Sequence, residues 1–181
     1  MRDISKNLRN TINHWIKEIE QMKRFLSLCL AVLLLAGTWG SAARVQAKAG
    51  VKDLCKAAMK ATGNTGKLKY KSDTADSFPG FTVSDRKKVS SIIYVCDARE
   101  VYSICVVQAG SASDAKALLG ELNQYKKQNS NSGYLKDYSK EEQGVLKNAL
   151  CGKKGKTIWY IAMSGKTSVN KKGQKAIRRK L

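Results

Sequence analysis

The chain of 181 residues contains one histidine and one proline, and its acidic side chains are outnumbered by basic ones, 14 against 34. The single histidine, His14, lies near the N-terminus. Catalytic triads with a histidine base, Cys–His pairs and histidine-rich metal sites would all depend on this one side chain. The sequence therefore offers no candidate for a catalytic, cofactor-binding or metal-binding residue.

The composition is that of a folded protein. Hydrophobic residues make up 43% of the chain, glycine occurs 14 times, and the formal net charge is +20. This excludes a collagen-like or polar disordered chain and leaves enough apolar side chains for a core. The length fits one domain plus a targeting segment.

An uncharged run of nineteen residues, 25–43, follows Lys23 and Arg24. Its dense apolar part, 25–36, is shorter than the ~20 residues that span a bilayer, which favours a signal peptide over residues 22–47. The small residue Ala47 ends a Val-Gln-Ala pattern and is the predicted cleavage site. The alternative is an uncleaved N-terminal membrane anchor, and both readings place the remainder outside the cytoplasm.

Residues 1–21 form an upstream extension of unusual length for a signal peptide. Met22 is followed by Lys23 and Arg24, as at an ordinary start, so Met22 is the predicted initiator and residues 1–21 a mis-assigned start. The alternative is a cytoplasmic amphipathic helix, because several apolar residues share one helical face. These residues are Leu8, Ile12, Trp15, Ile16 and Ile19.

The predicted exported domain, residues 48–181, keeps 27 basic and 11 acidic residues, for a net charge of +16. It also keeps four cysteines: Cys55, Cys96, Cys105 and Cys151. An even number outside the cytosol permits two disulfides in three pairings, and a Cys96–Cys105 bridge is favoured if one forms. The alternative is four small buried side chains, since each lies within an apolar pattern.

Hydrophobic periodicity predicts most of the elements. A helix begins near Val51 and ends before Gly63, and a polar loop covers residues 67–85. Ser91–Cys96 and Val101–Gln108 are rich in β-branched residues and predict a hairpin. A helix capped by Ser111 or Ser113 continues to Gln128.

The C-terminal part predicts a second hairpin, from Gly144–Cys151 and Thr157–Ser164, followed by a basic helix from Val169 to the end. A polar connection over Tyr134–Glu142 precedes this hairpin. The order α-β-β-α-β-β-α indicates a single α+β domain, with a four-stranded antiparallel sheet made of two hairpins and with helices packed on one face.

The layout of this region resembles a known family. The segments that carry the resemblance are Glu100–Val107, the helix 114–128, Tyr134–Tyr138, Val145–Asn148 and Lys156–Ile161. Together with the export signal, they resemble the uncharacterised secreted bacterial proteins, from Gram-positive anaerobes, called domain of unknown function 4358, over roughly residues 89–181. The resemblance implies an extracytoplasmic location and commonly a lipid anchor, for which this chain lacks a properly placed cysteine. It carries over no catalytic residue.

Several basic clusters are candidates for binding a polyanion: Arg86, Lys87, Lys88, Lys153, Lys154, Lys156, Lys171, Lys172, Arg178, Arg179 and Lys180. Anionic cell-wall polymers or membrane head groups are the partners that export makes accessible. Nucleic acid is not expected, because export separates the chain from the chromosome. The alternative is an ordinary solvated surface, and no protein partner is indicated.

The sequence thus predicts an exported, non-catalytic module of the cell envelope or the secreted fraction, without a cofactor. One alternative is a small extracellular thiol-redox protein or other enzyme. The acidic pairs Asp97 with Glu100, and Glu141 with Glu142, lie in predicted turns or polar connections, where a carboxylate keeps an ordinary pKa unsuited to acid catalysis. A third class is an interaction domain that pairs with a partner through a sheet edge.

Overall fold

The computed structural model of the protein describes residues 49–181. The upstream segment 1–21, the predicted signal peptide 22–47 and its cleavage site at Ala47 lie outside the described residues. Across residues 49–181, no helix combines the length and apolar character needed to cross a bilayer.

Six helices and five strands make up the described region. The helices are α1 (Val51–Thr62), α2 (Val83–Arg86), α3 (Ala112–Asn129), α4 (Ser132–Leu135), α5 (Lys140–Lys147) and α6 (Thr167–Lys180). The strands are β1 (Tyr70–Ser72), β2 (Val89–Cys96), β3 (Ser103–Ala109), β4 (Leu150–Lys154) and β5 (Thr157–Ala162). Two short 3₁₀ turns cover Thr65–Lys67 and Ala75–Ser77.

All five strands form one antiparallel sheet in the order β1-β2-β3-β5-β4. Every residue of β5 is buried, and so is all of β3 except Gln108. Since successive side chains of a strand point to opposite faces, the centre of the sheet is covered on both sides. The α+β class is confirmed.

Helices pack on both faces of the sheet, not on one as predicted. The thiol of Cys151 in β4 donates a hydrogen bond to the carbonyl of Leu122 in α3. The next residue, Gly152, faces Gln174 of α6 on the opposite side. On that second face α6 also packs against α1, so closely that a Cβ at Gly173 would lie 2.9 Å from the Thr62 methyl group. Periodicity reveals an apolar stripe on a helix but not the face of the sheet that the stripe covers.

The first hairpin is confirmed: β2 and β3 pair with Ile93 opposite Val106. The second hairpin is displaced, because residues 140–147 form α5 rather than the start of a strand. Ser139 and Glu142 cap that helix reciprocally, a local signal that favours a helix start over an extended chain. The turn of the hairpin is the pair Gly155–Lys156, with Gly155 at φ +59°, a backbone conformation suited to glycine.

The sheet has five strands rather than four, because β1 lies within the predicted loop. It contains only three residues, too few for an alternating pattern, and it pairs with the end of β2, with Tyr70 opposite Cys96. The same segment buries Phe78 completely against α3 and β2, with ring centroids 5.0 Å from Tyr125 and 5.2 Å from Tyr94. The segment 67–85 is therefore part of the core.

Two glycine substitutions test this packing. Replacing Gly152 with alanine places a Cβ 2.5 Å from the Trp159 ring nitrogen, so we expect Gly152→Ala to destabilise the domain by about 1–3 kcal/mol. At Gly120 in α3, the Cβ that alanine adds would have nothing within 4 Å, so Gly120→Ala is expected to stabilise by about 0.5–1 kcal/mol. Urea denaturation measures both, and equal effects of the two changes would contradict the placement of α6 over β4.

Candidate functional site

Two of the predicted basic segments meet at one end of the sheet, and a third, residues 86–88, approaches the same end. At this end β2 and β5 begin, β3 and β4 finish, and α6 reaches its C-terminus. We call it the basic end and define it by six residues from two stretches of the chain: Lys153, Lys154, Lys156, Arg178, Arg179 and Lys180. Their convergence follows from the hairpin turn and from the packing of α6 across β4 and β5.

The two stretches of the basic end are in contact. The Lys154 ammonium donates a hydrogen bond of 3.1 Å to the carbonyl of Arg178, in the last turn of α6. A cation at this position satisfies a helix carbonyl and complements the helix dipole. The Arg178 guanidinium lies over the ring of Trp159, 5.4 Å from its centroid. These contacts hold the hairpin turn against the helix.

The cluster 86–88 approaches the same end but is largely neutralised. Arg86 forms an ion pair of 2.8 Å with Asp76, and Lys88 one of 2.9 Å with the buried Asp85. By contrast, none of the six residues of the basic end pairs with a carboxylate of the region that the structure describes. Of the 86–88 cluster, only Lys87 is free of such a partner there.

Lys171 and Lys172 lie further back along α6, on its solvent-exposed side. Lys175, which the sequence analysis did not single out, is exposed between them and the basic end. The helix contains no acidic residue, and every exposed residue after Ser168 is cationic. The buried positions Asn170, Gly173 and Ile177 mark the opposite side, and this spacing is the sequence signal that would have added Lys175.

The four cysteines of the described region carry free thiols in the structure. A Cys96–Cys105 bridge, the pairing favoured if one forms, is absent there: Cys96 lies opposite Ser103 and Cys105 opposite Tyr94, two residues out of register. Burial raises the pKa of all four thiols, to about 12 for Cys55 and Cys151. A raised pKa disfavours the thiolate, which is the reactive form in redox chemistry.

The two acidic pairs named above, Asp97 with Glu100 and Glu141 with Glu142, have different surroundings. Glu141 accepts a hydrogen bond from the Tyr102 hydroxyl, which with the Lys67 ammonium lowers the pKa of Glu141. Hydrogen bonds from Ser139 lower the pKa of Glu142. Both are ionised groups with structural partners.

Glu100 departs from the expectation of an ordinary pKa. Burial, and secondarily the nearby Asp97, raise the pKa of the Glu100 carboxyl. Its backbone has φ +57°, the left-handed region that costs a residue with a side chain roughly 1–2 kcal/mol. The sequence shows only that Glu100 lies between two strands, which says nothing of its burial or its backbone. Within residues 49–181, no three His, Cys, Asp or Glu side chains converge as a metal site would require.

Two substitutions separate the strain at Glu100 from its charge. Glu100→Gly relieves the backbone and also removes the carboxyl, so it is expected to stabilise the domain by about 1 kcal/mol in acid and by more at neutral pH. Glu100→Gln keeps the backbone strain but removes the carboxyl. Because its pKa is raised, the folded protein retains a proton that the unfolded chain loses, so wild-type stability falls as pH rises through this interval.

Glu100→Gln should therefore match the wild type in acid and exceed its stability at neutral pH, whereas Glu100→Gly should exceed it at both. Urea denaturation at several pH values measures these differences. A wild-type advantage over Glu100→Gln that grows with pH would show that the carboxylate is stabilised by the fold instead.

The burial of the thiols gives a further prediction. In the native protein at mildly alkaline pH, we expect Cys55, Cys105 and Cys151 to react with iodoacetamide at least tenfold more slowly than in urea, because burial disfavours the thiolate and blocks access. Peptide mass spectrometry measures each residue separately. Fast native alkylation of any of the three would restore the thiol-redox interpretation.

Comparison with known proteins gives no relative of this chain: no family model, no curated protein and no solved structure matches it. The basic end, with six cations and no carboxylate partner in the described region, is the feature that its own geometry offers as a functional site.

Proposed function

We propose that the protein is an exported, non-catalytic module of the cell envelope that binds a phosphate-bearing anionic surface through its basic end. One observation supports this above the others. Two stretches of chain more than twenty residues apart bring six cationic side chains to one end of the sheet, with no carboxylate partner among the described residues.

The strength of such binding depends on the number of basic residues that face the surface. An exposed ion pair contributes little by itself, and a basic residue near an anionic membrane contributes about 1 kcal/mol. Six such residues held on one rigid end, with Lys171, Lys172 and Lys175 alongside, reach several kcal/mol in sum. Binding of this kind weakens with salt, because mobile ions screen exposed charges.

Contacts within the basic end hold its side chains in place, which also favours binding. The hydrogen bond from Lys154 to Arg178 and the cation–π contact of Arg178 with Trp159 hold the hairpin against α6 before any partner arrives. Less conformational entropy is then lost when the surface is bound. A solvated surface of dispersed lysines would lack such connections.

Location outside the cytoplasm rests on the apolar leader, and the resemblance to the secreted family called domain of unknown function 4358 stays a prediction. The alternatives receive less support from the structure. The buried thiols disfavour a redox role. At the sheet edges, β1 is three residues long and β4 carries Lys153 and Lys154, and both features oppose pairing with a partner strand.

A pair of matched triple variants tests the proposal. Lys153→Gln/Lys156→Gln/Lys180→Gln removes three charges from the basic end, and Lys56→Gln/Lys60→Gln/Lys136→Gln removes three exposed charges elsewhere. We expect the first to weaken binding to phosphatidylglycerol vesicles and to immobilised polyphosphate by about 100-fold, at about 1 kcal/mol per residue. The second should weaken it by less than about threefold.

Co-sedimentation with vesicles and retention on polyphosphate beads, each across a salt series, provide the measurement. Because the two variants have the same net charge, equal losses would show that total charge acts and that the basic end does not. Retention that molar salt leaves unchanged would contradict the electrostatic proposal altogether.

A further inference from the structure

The opposite end of the sheet contains a cavity of about 350 Å³. It lies where β1 pairs with the last residues of β2, under the loop that leads to β3. Its walls include Tyr70 and Ser72 of β1, Tyr94 and Cys96 of β2, and Asp97 and Glu100 of the loop. This volume suits a small molecule and not a polymer.

The cavity is acidic although the protein is strongly basic. Glu100 makes no side-chain hydrogen bond and no ion pair with any residue from 49 to 181, and Asp97 accepts only the backbone N–H of Tyr102. Lys71 also contributes to the cavity wall, but it forms an ion pair with neither carboxyl, and its charge acts on the Cys55 thiol and on Asp73. Two neighbouring carboxyls thus lack an ion-pair partner in the described region.

Tyr94 adds an independent sign of a missing partner. Only 3% of this residue is exposed, and its hydroxyl lies close to the Cys96 thiol and to Tyr125 without a hydrogen bond of ordinary geometry to any residue from 49 to 181. The ring is fixed edge-on against Phe78 and lines the cavity. A buried hydroxyl left unpaired costs about 1–3 kcal/mol, so a ligand that bonds to it is favoured.

We propose that this cavity binds a small organic cation with a primary ammonium group, with Glu100 and Asp97 as its counter-ions and the Tyr94 hydroxyl as a hydrogen-bond acceptor. Tyr70, 59% exposed at the cavity, offers a ring face to the same charge. An ammonium donates three hydrogen bonds and needs no fixed coordination shell, whereas Ca²⁺ takes six to eight oxygen ligands. Two carboxyls and one hydroxyl fit the ammonium better.

The site is distinct from the basic end. Strand β2 runs from one end of the sheet to the other, and its eight residues span roughly 25 Å at ~3.3 Å each. A cation in the cavity and an anionic surface at the basic end can therefore be bound at the same time. Failure of one proposal leaves the other intact.

The test uses 1,4-diaminobutane as the probe and 1,4-butanediol as its uncharged counterpart, titrated into the ¹⁵N-labelled protein. We expect saturable amide shifts over residues 70–72 and 94–100 with the diamine and none with the diol. Glu100→Gln should weaken binding at least tenfold and Tyr94→Phe several-fold. Glu121→Gln, the same chemical change on α3, should leave the affinity within about twofold.

Dispersed amide spectra establish that each variant is folded. The proposal is overturned if the diol binds as well as the diamine, if Glu100→Gln binds as tightly as the wild type, or if the shifts spread over all exposed acids without saturating. Saturation by calcium chloride at the same amides, with no response to the diamine, would assign the cavity to a metal ion and also overturn it. Variants of the basic end should keep full diamine binding.

Discussion

The burial of β3 and β5 on both faces is the constraint on which the rest of the structure depends. Strands covered on both sides must be apolar throughout, so their middle cannot carry exposed polar chemistry. Solvent reaches the sheet only at its two ends and along its short edges. The basic end and the acidic cavity are both located where strands finish and loops begin.

The two ends differ in how their charges are paired. At one end the turn of the second hairpin and the last turn of α6 collect lysines and arginines that have no carboxylate partner in the described region. At the other, the charges of Glu141 and Glu142 are balanced by Lys67 and Arg99. The basic end therefore presents a group of unpaired cations on a domain that is strongly basic overall. A field of this kind orients an approaching anionic surface before contact is made.

Sequence reasoning identified the elements that have long, regular patterns. The first hairpin, α1 and α3 follow from β-branched runs and from apolar residues three and four apart. Features determined by a few residues were missed. Strand β1 has only three residues. The apolar run after Gly144 predicted a strand, but the Ser139–Glu142 cap outweighs it and α5 forms instead. The basic end was named residue by residue, but its convergence depends on tertiary packing. The cavity at Glu100 depends on burial and on one backbone angle, neither of which any sequence pattern encodes.

The close contact of α1 with α6, where Gly173 meets Thr62, joins the first and the last helix of the described region. If the chain is exported as proposed, threading through a translocation channel from its N-terminal side releases α1 long before α6, and for that interval the face that the two helices share is only partly covered. The domain then cannot complete its core during export, which keeps it loose enough to pass through the channel. During the same interval its exposed apolar surface favours aggregation.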